Sequence, residues 1–210
     1  MIKSPAYTNA TVVMIALLCG AFCGSTHAAE QSIGVPHDIY AEGTYYGAET
    51  VTFSLAVAGD NFIKTYSNGT VVAGEKKNGE AVYYFINKNN RLITKVSQEN
   101  LYRIGEFTNW NNMIGLINLK PGAILVKENK MDRQDACTFY SVENEGKTRA
   151  CMDDNCHLPV YIEQNGRVIE RTSHISPYRS PLDPAALIAE YLRGNYRFID
   201  ADDDISPDSD

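Results

Sequence analysis

Residues 38–97 carry the feature that constrains this chain most: apolar and polar side chains alternate with a period of two, and turn signals interrupt the alternation. Along residues 51–58 every second side chain is a large apolar one, as expected for a strand with one buried face. Asn68-Gly69 and Asn78-Gly79 are the strongest turn signals, because Asn and Gly tolerate the positive φ of tight hairpin turns. The segment therefore predicts six consecutive antiparallel strands.

The next segment, residues 98–119, replaces this alternation with a spacing of three. Leu101, Ile104, Phe107 and Trp110 recur at a helical period, although the Asn residues near them weaken helix propensity. We expect one or two short helical turns and a loop. Strand patterns then resume in five segments: 123–127, 136–142, 147–152, 160–164 and 167–174.

A well-marked short helix is predicted late in the chain. Asp183 can cap its N-terminus, Pro184 suits the first helical position, and Gly194 can end the helix after residues 185–193. With about eleven strands, the predicted fold class is mainly β. We expect a strongly curved antiparallel sheet that forms an incomplete barrel, with a mid-chain helical insert and this short late helix.

The first 28 residues have the pattern of a cleaved signal peptide. Lys3 precedes an apolar run from Ala10 to Phe22, and small residues stand at the expected cleavage site after Ala28. The apolar run is shorter than the roughly 20 residues that cross a bilayer as a helix. The pattern predicts a periplasmic protein, peripheral to the membrane at most. Acylation at Cys19 or Cys23, as in a lipoprotein, is the alternative.

The charge of the chain is concentrated at its C-terminal end. The net charge is −7, and six Asp residues lie between Asp200 and Asp210. Closely spaced like charges repel, so we expect residues 29–199 to form one domain and residues 200–210 to be an acidic disordered tail. The composition argues against a nucleic-acid-binding module, because Lys and Arg do not outnumber Asp and Glu.

Three cysteines, Cys137, Cys151 and Cys156, follow the predicted signal peptide. In an oxidising compartment a pair is expected to form a disulfide. Cys137 and Cys151 lie on adjacent strands of one predicted hairpin, and we favour this pair. A Cys151–Cys156 bond across the intervening turn is the rival.

Chemistry-bearing motifs are sparse. Cys151, Cys156 and His157 suggest a c-type haem site only remotely, because four residues separate the cysteines where such sites have two. Zinc binding by these side chains together with Cys137 is disfavoured, because oxidation of the thiols competes with it in the periplasm. Known catalytic signatures are absent from the sequence. We therefore expect no enzyme activity, no cofactor and no metal.

Four phrases in the C-terminal half carry a family resemblance: Cys137–Tyr140, Arg149–Asp154, Leu158–Glu163 and Gly166–Glu170. They resemble the late strands of the LolA-like superfamily of periplasmic proteins, which includes lipoprotein carriers, the receptor LolB and the stress sensor RseB. The resemblance is distant and is to the superfamily rather than to the carrier itself. It implies an unclosed antiparallel barrel with helices inside, a hydrophobic cavity that holds acyl chains, and no catalysis.

The residues and the resemblance together predict a non-enzymatic periplasmic binding protein. A lipid, an acyl chain or another apolar small molecule would occupy the concave face of the half-barrel. The mid-chain segment with Leu101, Ile104, Phe107 and Trp110 would form a lid or plug over it. The lining residues would be Phe53, Leu55, Val57, Ile63, Tyr84, Ile86, Ile93, Leu125 and Phe139.

The alternative function is that of an interaction or sensor protein of the envelope. In this interpretation side chains fill the core of a similar fold. A sheet edge or the helix at Pro184 would then contact another envelope protein. The two hypotheses differ in whether Leu101, Phe107 and Trp110 fill the concave face or only cover it.

Overall fold

A computed structural model describes residues 38–103, 110–114, 124–132, 134–143 and 147–204. These residues belong to one compact unit of the chain. The predicted signal peptide lies outside the described residues, as do Ile104 and Phe107 of the insert.

The described residues form twelve strands and four short helices. The strands are β1 (Ile39–Tyr46), β2 (Thr50–Ala58), β3 (Asn61–Tyr66), β4 (Thr70–Lys77), β5 (Glu80–Asn87), β6 (Leu92–Ser97), β7 (Ile124–Asp132), β8 (Cys137–Glu143), β9 (Thr148–Met152), β10 (Pro159–Gln164), β11 (Arg167–Pro177) and β12 (Arg197–Asp200). The helices are α1 (Gln98–Arg103), α2 (Trp110–Ile114), α3 (Pro184–Arg193) and α4 (Ala201–Asp204).

All twelve strands belong to one sheet, in the order β12-β6-β5-β4-β3-β2-β1-β11-β10-β9-β8-β7. Each hairpin neighbour in the chain is also a neighbour in the sheet, and β1 pairs with β11 to join the two halves. The described strands β12 and β7 are the two edges, so the sheet is not closed. The predictions of a mainly β fold and an unclosed sheet are confirmed.

The predicted number of eleven strands is too low, because β12 is not among the predicted strands and its last residue, Asp200, falls in the predicted tail. This four-residue strand pairs in parallel with β6, through the register Phe198↔Ile93 and Asp200↔Lys95. Its four residues show no alternation of apolar and polar side chains that would predict a strand. The strand forms because β6 offers an unpaired edge and because Lys95 Nζ lies 2.7 Å from a carboxylate oxygen of Asp200.

The prediction of a disordered tail from residue 200 is likewise wrong for residues 200–204. Asp200 ends β12, and α4 follows it. Asp202 accepts hydrogen bonds from the Ser97 backbone N–H at 2.8 Å and from the Asn100 side chain at 2.7 Å. Local ion and hydrogen-bond partners thus offset the repulsion between the aspartates. Residues 205–210 lie outside the described residues.

The helices pack on opposite faces of the sheet. Leu101 of α1 and Trp110 of α2 join an apolar cluster with Leu55 and Phe62, and we call the surface that carries this cluster the α2 face. Helix α3 packs on the other surface, the α3 face, where Ile188 contacts a cluster of side chains from β3 to β6. Strands β3 to β6 are therefore covered on both sides.

The predicted late helix and the predicted helical insert are both confirmed. Asp183 caps α3 by accepting a hydrogen bond from the Ala186 backbone N–H at 2.9 Å, and Pro184 is its first residue. Helix α1 begins at Gln98, directly after Ser97, whose side-chain oxygen accepts from the Asn100 backbone N–H. For α3, the sequence signals for the helix start are the ones that the structure uses.

Candidate ligand-binding face

An apolar cluster covers the α2 face across most of the sheet. Its buried members come from strands of both halves and from the insert. They are Ile39, Ala41, Phe53, Leu55, Val57, Phe62, Val72, Ala81, Tyr83, Val96, Leu101, Trp110, Ile114, Val142, Ala150, Met152, Leu158 and Ile162. Such a face must be covered by the chain itself or by a ligand, because exposed apolar area of this extent is unfavourable in water.

Trp110 anchors α2 on this face. Its side chain is 4% exposed, and its ring centre lies 5.1 Å from that of Phe62 in an edge-on arrangement and 6.1 Å from that of Tyr83. The Lys76 ammonium lies 4.7 Å above the indole ring. Phe62 fits because Gly74 on the neighbouring strand has no side chain; a Cβ there would collide with the Phe62 ring. Helix α2 is therefore held by aromatic contacts.

Beside the apolar cluster lies a buried cation, Lys64. The Lys64 side chain is 2% exposed, and its ammonium donates a hydrogen bond of 2.8 Å to the Tyr45 hydroxyl. The ammonium also lies 4.7 Å from the ring centre of Phe53, 5.3 Å from that of Tyr45 and 5.6 Å from that of Tyr66. Ring faces attract cations, so these contacts offset part of the cost of burying the charge.

The strand register explains how these side chains meet. Phe53 on β2 is paired with Gly43 on β1 and with Tyr66 on β3. Because Gly43 has no side chain, the Phe53 ring lies over its backbone, and a Cβ there would meet the ring. Lys64 on β3 can therefore extend across the Phe53 ring to reach Tyr45 on β1.

Glu170 is the acid of this cluster and is paired with Tyr45 across β1 and β11. Burial raises the pKa of Glu170 to about 7, although the Lys64 charge and the Tyr45 hydroxyl act in the opposite direction. Burial lowers the pKa of Lys64 to about 8, and Glu170 opposes that shift. Burial also raises the pKa values of both tyrosines, that of Tyr66 to about 12. The cluster thus holds a cation and a carboxyl that changes charge near neutral pH.

Sequence reasoning missed Lys64 and Glu170, although it had a signal for the first. Lys64 stands two residues after Phe62 and two before Tyr66, so period-two alternation places all three on one face. A lysine in phase with aromatic residues in a short strand predicts either an edge position or a buried charge. No comparable signal marks Glu170, since its burial depends on β1 pairing with β11.

The predicted lining residues do not share one face. Phe53, Leu55 and Val57 belong to the α2 face, together with Leu101 and Trp110 of the insert. Ile63, Tyr84, Ile86 and Ile93 lie on the α3 face in the cluster under α3. Phe139 packs with the disulfide in a third cluster. The side chains of Leu125 and Phe107 lie outside the described residues.

The expectation of a common face is therefore not met for Ile63, Tyr84, Ile86, Ile93 and Phe139. The physical reason is that β3 to β6 are covered on both sides, so apolar residues occupy both phases of these strands. In β5, for example, Tyr83 belongs to one face while its neighbour Tyr84 belongs to the other. Alternation identifies a buried face only where the opposite face meets water.

The favoured disulfide, Cys137–Cys151, is confirmed, with its Cα atoms 5.3 Å apart. It packs with Phe139 and Tyr161. Cys151 is therefore not a free thiol for the remote haem interpretation. Cys156 is a half-buried free thiol that packs against the α2-face cluster, and burial raises its pKa to about 11. This thiol is a poor nucleophile and metal ligand near neutral pH.

A surface depression of about 470 Å³ is lined mainly by residues of β1, β2 and β3. Its lining includes Tyr40, Glu42, Thr44, Ser54 and Thr65, which alternate with the inward-facing residues of β1 to β3. The Tyr40 hydroxyl donates a hydrogen bond of 2.6 Å to the Glu42 carboxylate. The lining also includes Phe53 and Tyr66, whose rings contact the Lys64 ammonium.

Among the described residues, no group of three or more His, Cys, Asp or Glu side chains is placed to hold a metal ion. None of the helices described there has the length and hydropathy needed to cross a bilayer. In comparisons with known proteins, neither a protein-family model nor a curated protein matches the chain.

Proposed function

We propose that this chain is a non-enzymatic, extracytoplasmic binding protein that holds an apolar ligand on the α2 face of a LolA-like half-barrel. The observation that carries the proposal is the covering of this face. Among the described residues, this broad apolar surface is covered by α1 and α2, helices of six and five residues, and not by a long helix or a second sheet.

The number of strands supports a half-barrel shape. Twelve strands spaced about 4.8 Å apart would span roughly 50 Å if the sheet were flat. Open, twisted sheets of this size tend to curl, and they curl around the face that buries more apolar area. In the proposal this is the α2 face, which becomes the concave side.

A short helical cover is suited to displacement by a ligand. Isolated helices of this length are unstable in water, so α1 and α2 depend on their contacts with the sheet. Those contacts include the packing of the Trp110 ring on Phe62, the buried side chains of Leu101 and Ile114, and a hydrogen bond of 3.0 Å that the Tyr83 hydroxyl donates to Gln98. An acyl chain can replace the apolar contacts at similar free energy because burial of apolar area is not directional.

The extracytoplasmic location is supported by the disulfide. A Cys137–Cys151 bond is consistent with an oxidising compartment, where such bonds form and persist. The predicted signal peptide and the LolA-like resemblance point to the periplasm.

A second candidate function is an interaction or sensor protein whose core is filled by its own side chains. The burial of Leu101 and Trp110 favours it, because both fill space above the sheet. Strand β7 would be the contact surface, since it is a sheet edge where Val126 and Met131 are exposed. In this candidate the insert never leaves the sheet.

Native mass spectrometry of protein isolated from its own cell envelope distinguishes the two candidates. The binding protein is expected to carry a bound lipid and, after delipidation, to take up a fluorescent fatty acid with saturation at one or a few molecules. A protein that is reproducibly empty and takes up no fatty acid would contradict the proposal and favour the filled core. A protein-only complex captured by cross-linking at β7 would support the second candidate directly.

A further inference from the structure

The Lys64 ammonium has fewer hydrogen bonds than it can make. A lysine ammonium has three N–H donors, and the Tyr45 hydroxyl is the acceptor found for it among the described residues. Aromatic ring faces supply the other close contacts. A buried charge that is only partly satisfied is costly, so this site gains stability from any additional oxygen acceptor.

Glu170 belongs to the cluster but does not form an ion pair with the Lys64 ammonium. No ion pair within 4.0 Å joins Lys64 to Glu170 in the described part of the chain, and the Tyr45 side chain interacts with both. The titratable groups that face Lys64 are Tyr45 and Tyr66, which stay neutral, and Glu170, whose pKa is raised by burial to about 7. Below the raised pKa of Glu170 the cluster therefore carries the positive charge of Lys64, and above it the two charges offset each other.

The cluster is continuous with the apolar surface of the α2 face. Phe53 belongs to the apolar cluster and also contacts the ammonium through its ring. Leu55 is the direct cross-strand partner of Lys64. A molecule with one end at Lys64 would place its next atoms against Phe53 and Leu55, and atoms farther along would reach Phe62 and Trp110.

The cluster also lies toward the ends of its strands. Tyr45 is the penultimate residue of β1 and Tyr66 is the last residue of β3, while Phe53 is the fourth of the nine residues of β2. These ends lie together because the strands are antiparallel. A polar group bound there would sit near one rim of the sheet, while the apolar remainder would extend toward the centre.

We infer that Lys64 binds the oxyanion headgroup of the ligand, so that the ligand is an anionic amphiphile with a single apolar chain and a carboxylate or phosphate end. This inference rests on the proposed function, because it assumes that the apolar chain occupies the α2 face. Tyr45 would hold the ammonium in place, and Glu170 would limit how much negative charge the site accepts.

The test compares ligands that differ only at the headgroup. Hexadecanoate, hexadecyl phosphate, hexadecanol and inorganic phosphate each compete with a fluorescent fatty acid for the full mature chain at pH 7. We expect both anionic amphiphiles to bind roughly tenfold or more tightly than hexadecanol, the scale of a charge-assisted hydrogen bond. Inorganic phosphate alone is expected not to compete.

Variants assign the effect to Lys64. Lys64→Met keeps the length of the side chain without its charge, and it is expected to remove the preference for anionic headgroups, so that the anionic amphiphiles bind no more tightly than hexadecanol. If this variant folds poorly because Glu170 is left alone, the double variant Lys64→Met/Glu170→Gln removes both charged groups and carries the same expectation. Lys88→Met, at an exposed hairpin turn, is the matched control and should keep the preference.

The pH dependence supplies a readout that a merely structural lysine would not move. Hexadecanoate binding should weaken as the pH rises through about 7, where Glu170 loses its proton, and again through about 8, where Lys64 loses its proton, while hexadecanol binding should change much less. Equal affinity for hexadecanoate and hexadecanol in the unchanged protein, or an intact preference in both Lys64 variants, would overturn the inference. Competition by inorganic phosphate would also overturn it, in favour of a site for small anions. Failure of all four ligands to bind, hexadecanol included, would instead contradict the proposed function.

Discussion

Two cations lie on aromatic rings on opposite faces of the sheet, and they are satisfied in different ways. On the α3 face, Arg149 lies 4.1 Å above the Phe139 ring and donates two hydrogen bonds to Glu128, at 2.9 and 2.7 Å. On the α2 face, Lys64 lies over Phe53 with one neutral hydroxyl as its acceptor.

The difference separates a structural charge from one suited to binding. Arg149 is partly exposed and is matched by a carboxylate, and Glu128 raises its pKa further, so it stays charged at every physiological pH. Lys64 is buried, lacks a carboxylate in contact and titrates near pH 8. A buried cation without a carboxylate in direct contact is stabilised by an added anion that reaches it.

The largest expected effect tests how the α2 face is covered. Trp110→Ala removes the ring that contacts Phe62 and Tyr83, and loss of a buried aromatic side chain typically costs about 3–5 kcal/mol in the free energy of unfolding. Urea denaturation followed by circular dichroism measures it. Leu192→Ala, at an exposed position of α3, should cost less than about 0.5 kcal/mol. A Trp110→Ala protein as stable as this control would mean that α2 is not anchored by its ring.

The next effect tests the region around Arg149, which is held covalently. Replacing Cys137 and Cys151 by Ser should lower the free energy of unfolding by about 2–4 kcal/mol, because the disulfide restricts the unfolded chain. Cys156→Ser is the matched control and should cost less than about 1 kcal/mol. An equal loss in the control and the double variant would point to packing rather than to the cross-link.

A pH profile of stability tests the two titrating groups of the Lys64 region. The pKa of Glu170 is raised from 4.5 to about 7, so the folded state binds more protons and stability falls as the pH rises through this interval. The pKa of Lys64 is lowered from 10.5 to about 8, so stability rises again between about pH 8 and 10.5. Glu170→Gln should flatten the first slope, and Lys64→Met the second. Unchanged slopes in both variants would show that other groups cause them.

The smallest expected effect belongs to Arg149. Arg149→Met breaks a partly exposed ion pair with Glu128 and should cost no more than about 1 kcal/mol, with no change in the pH profile between pH 5 and 9. Thermal unfolding at several pH values measures both. A large loss, or a new pH dependence, would remove the contrast between the two cations.

Local signals in the sequence were sufficient for most elements of the fold. The Asn78-Gly79 turn was predicted from residue types that tolerate positive φ, and both residues adopt it, at 55° and 86°. The cap at Asp183 and the Cys137–Cys151 pair were also predicted, because each depends on residues close in the sequence or on one hairpin.

What could not be predicted depends on contacts between distant parts of the chain. Strand β12 forms because it meets β6, about a hundred residues earlier. Ile86 and Ile93 face away from Leu55 because α3 covers the second side of their strands. The Lys64 site needs Tyr45 and Glu170, which the pairing of β1 with β11 brings together. Strand alternation alone carries none of this information.

The central claim is that an anionic amphiphile occupies the α2 face and displaces the insert. Trp110 is the one tryptophan of the chain and is buried on that face, so its emission reports the position of α2. Titration of the delipidated protein with hexadecanoate at pH 7 should give a saturable shift in Trp110 emission, which Lys64→Met weakens and Lys88→Met leaves unchanged. Emission that stays constant while bound hexadecanoate is detected by mass spectrometry, or equal responses in all three proteins, would contradict the claim.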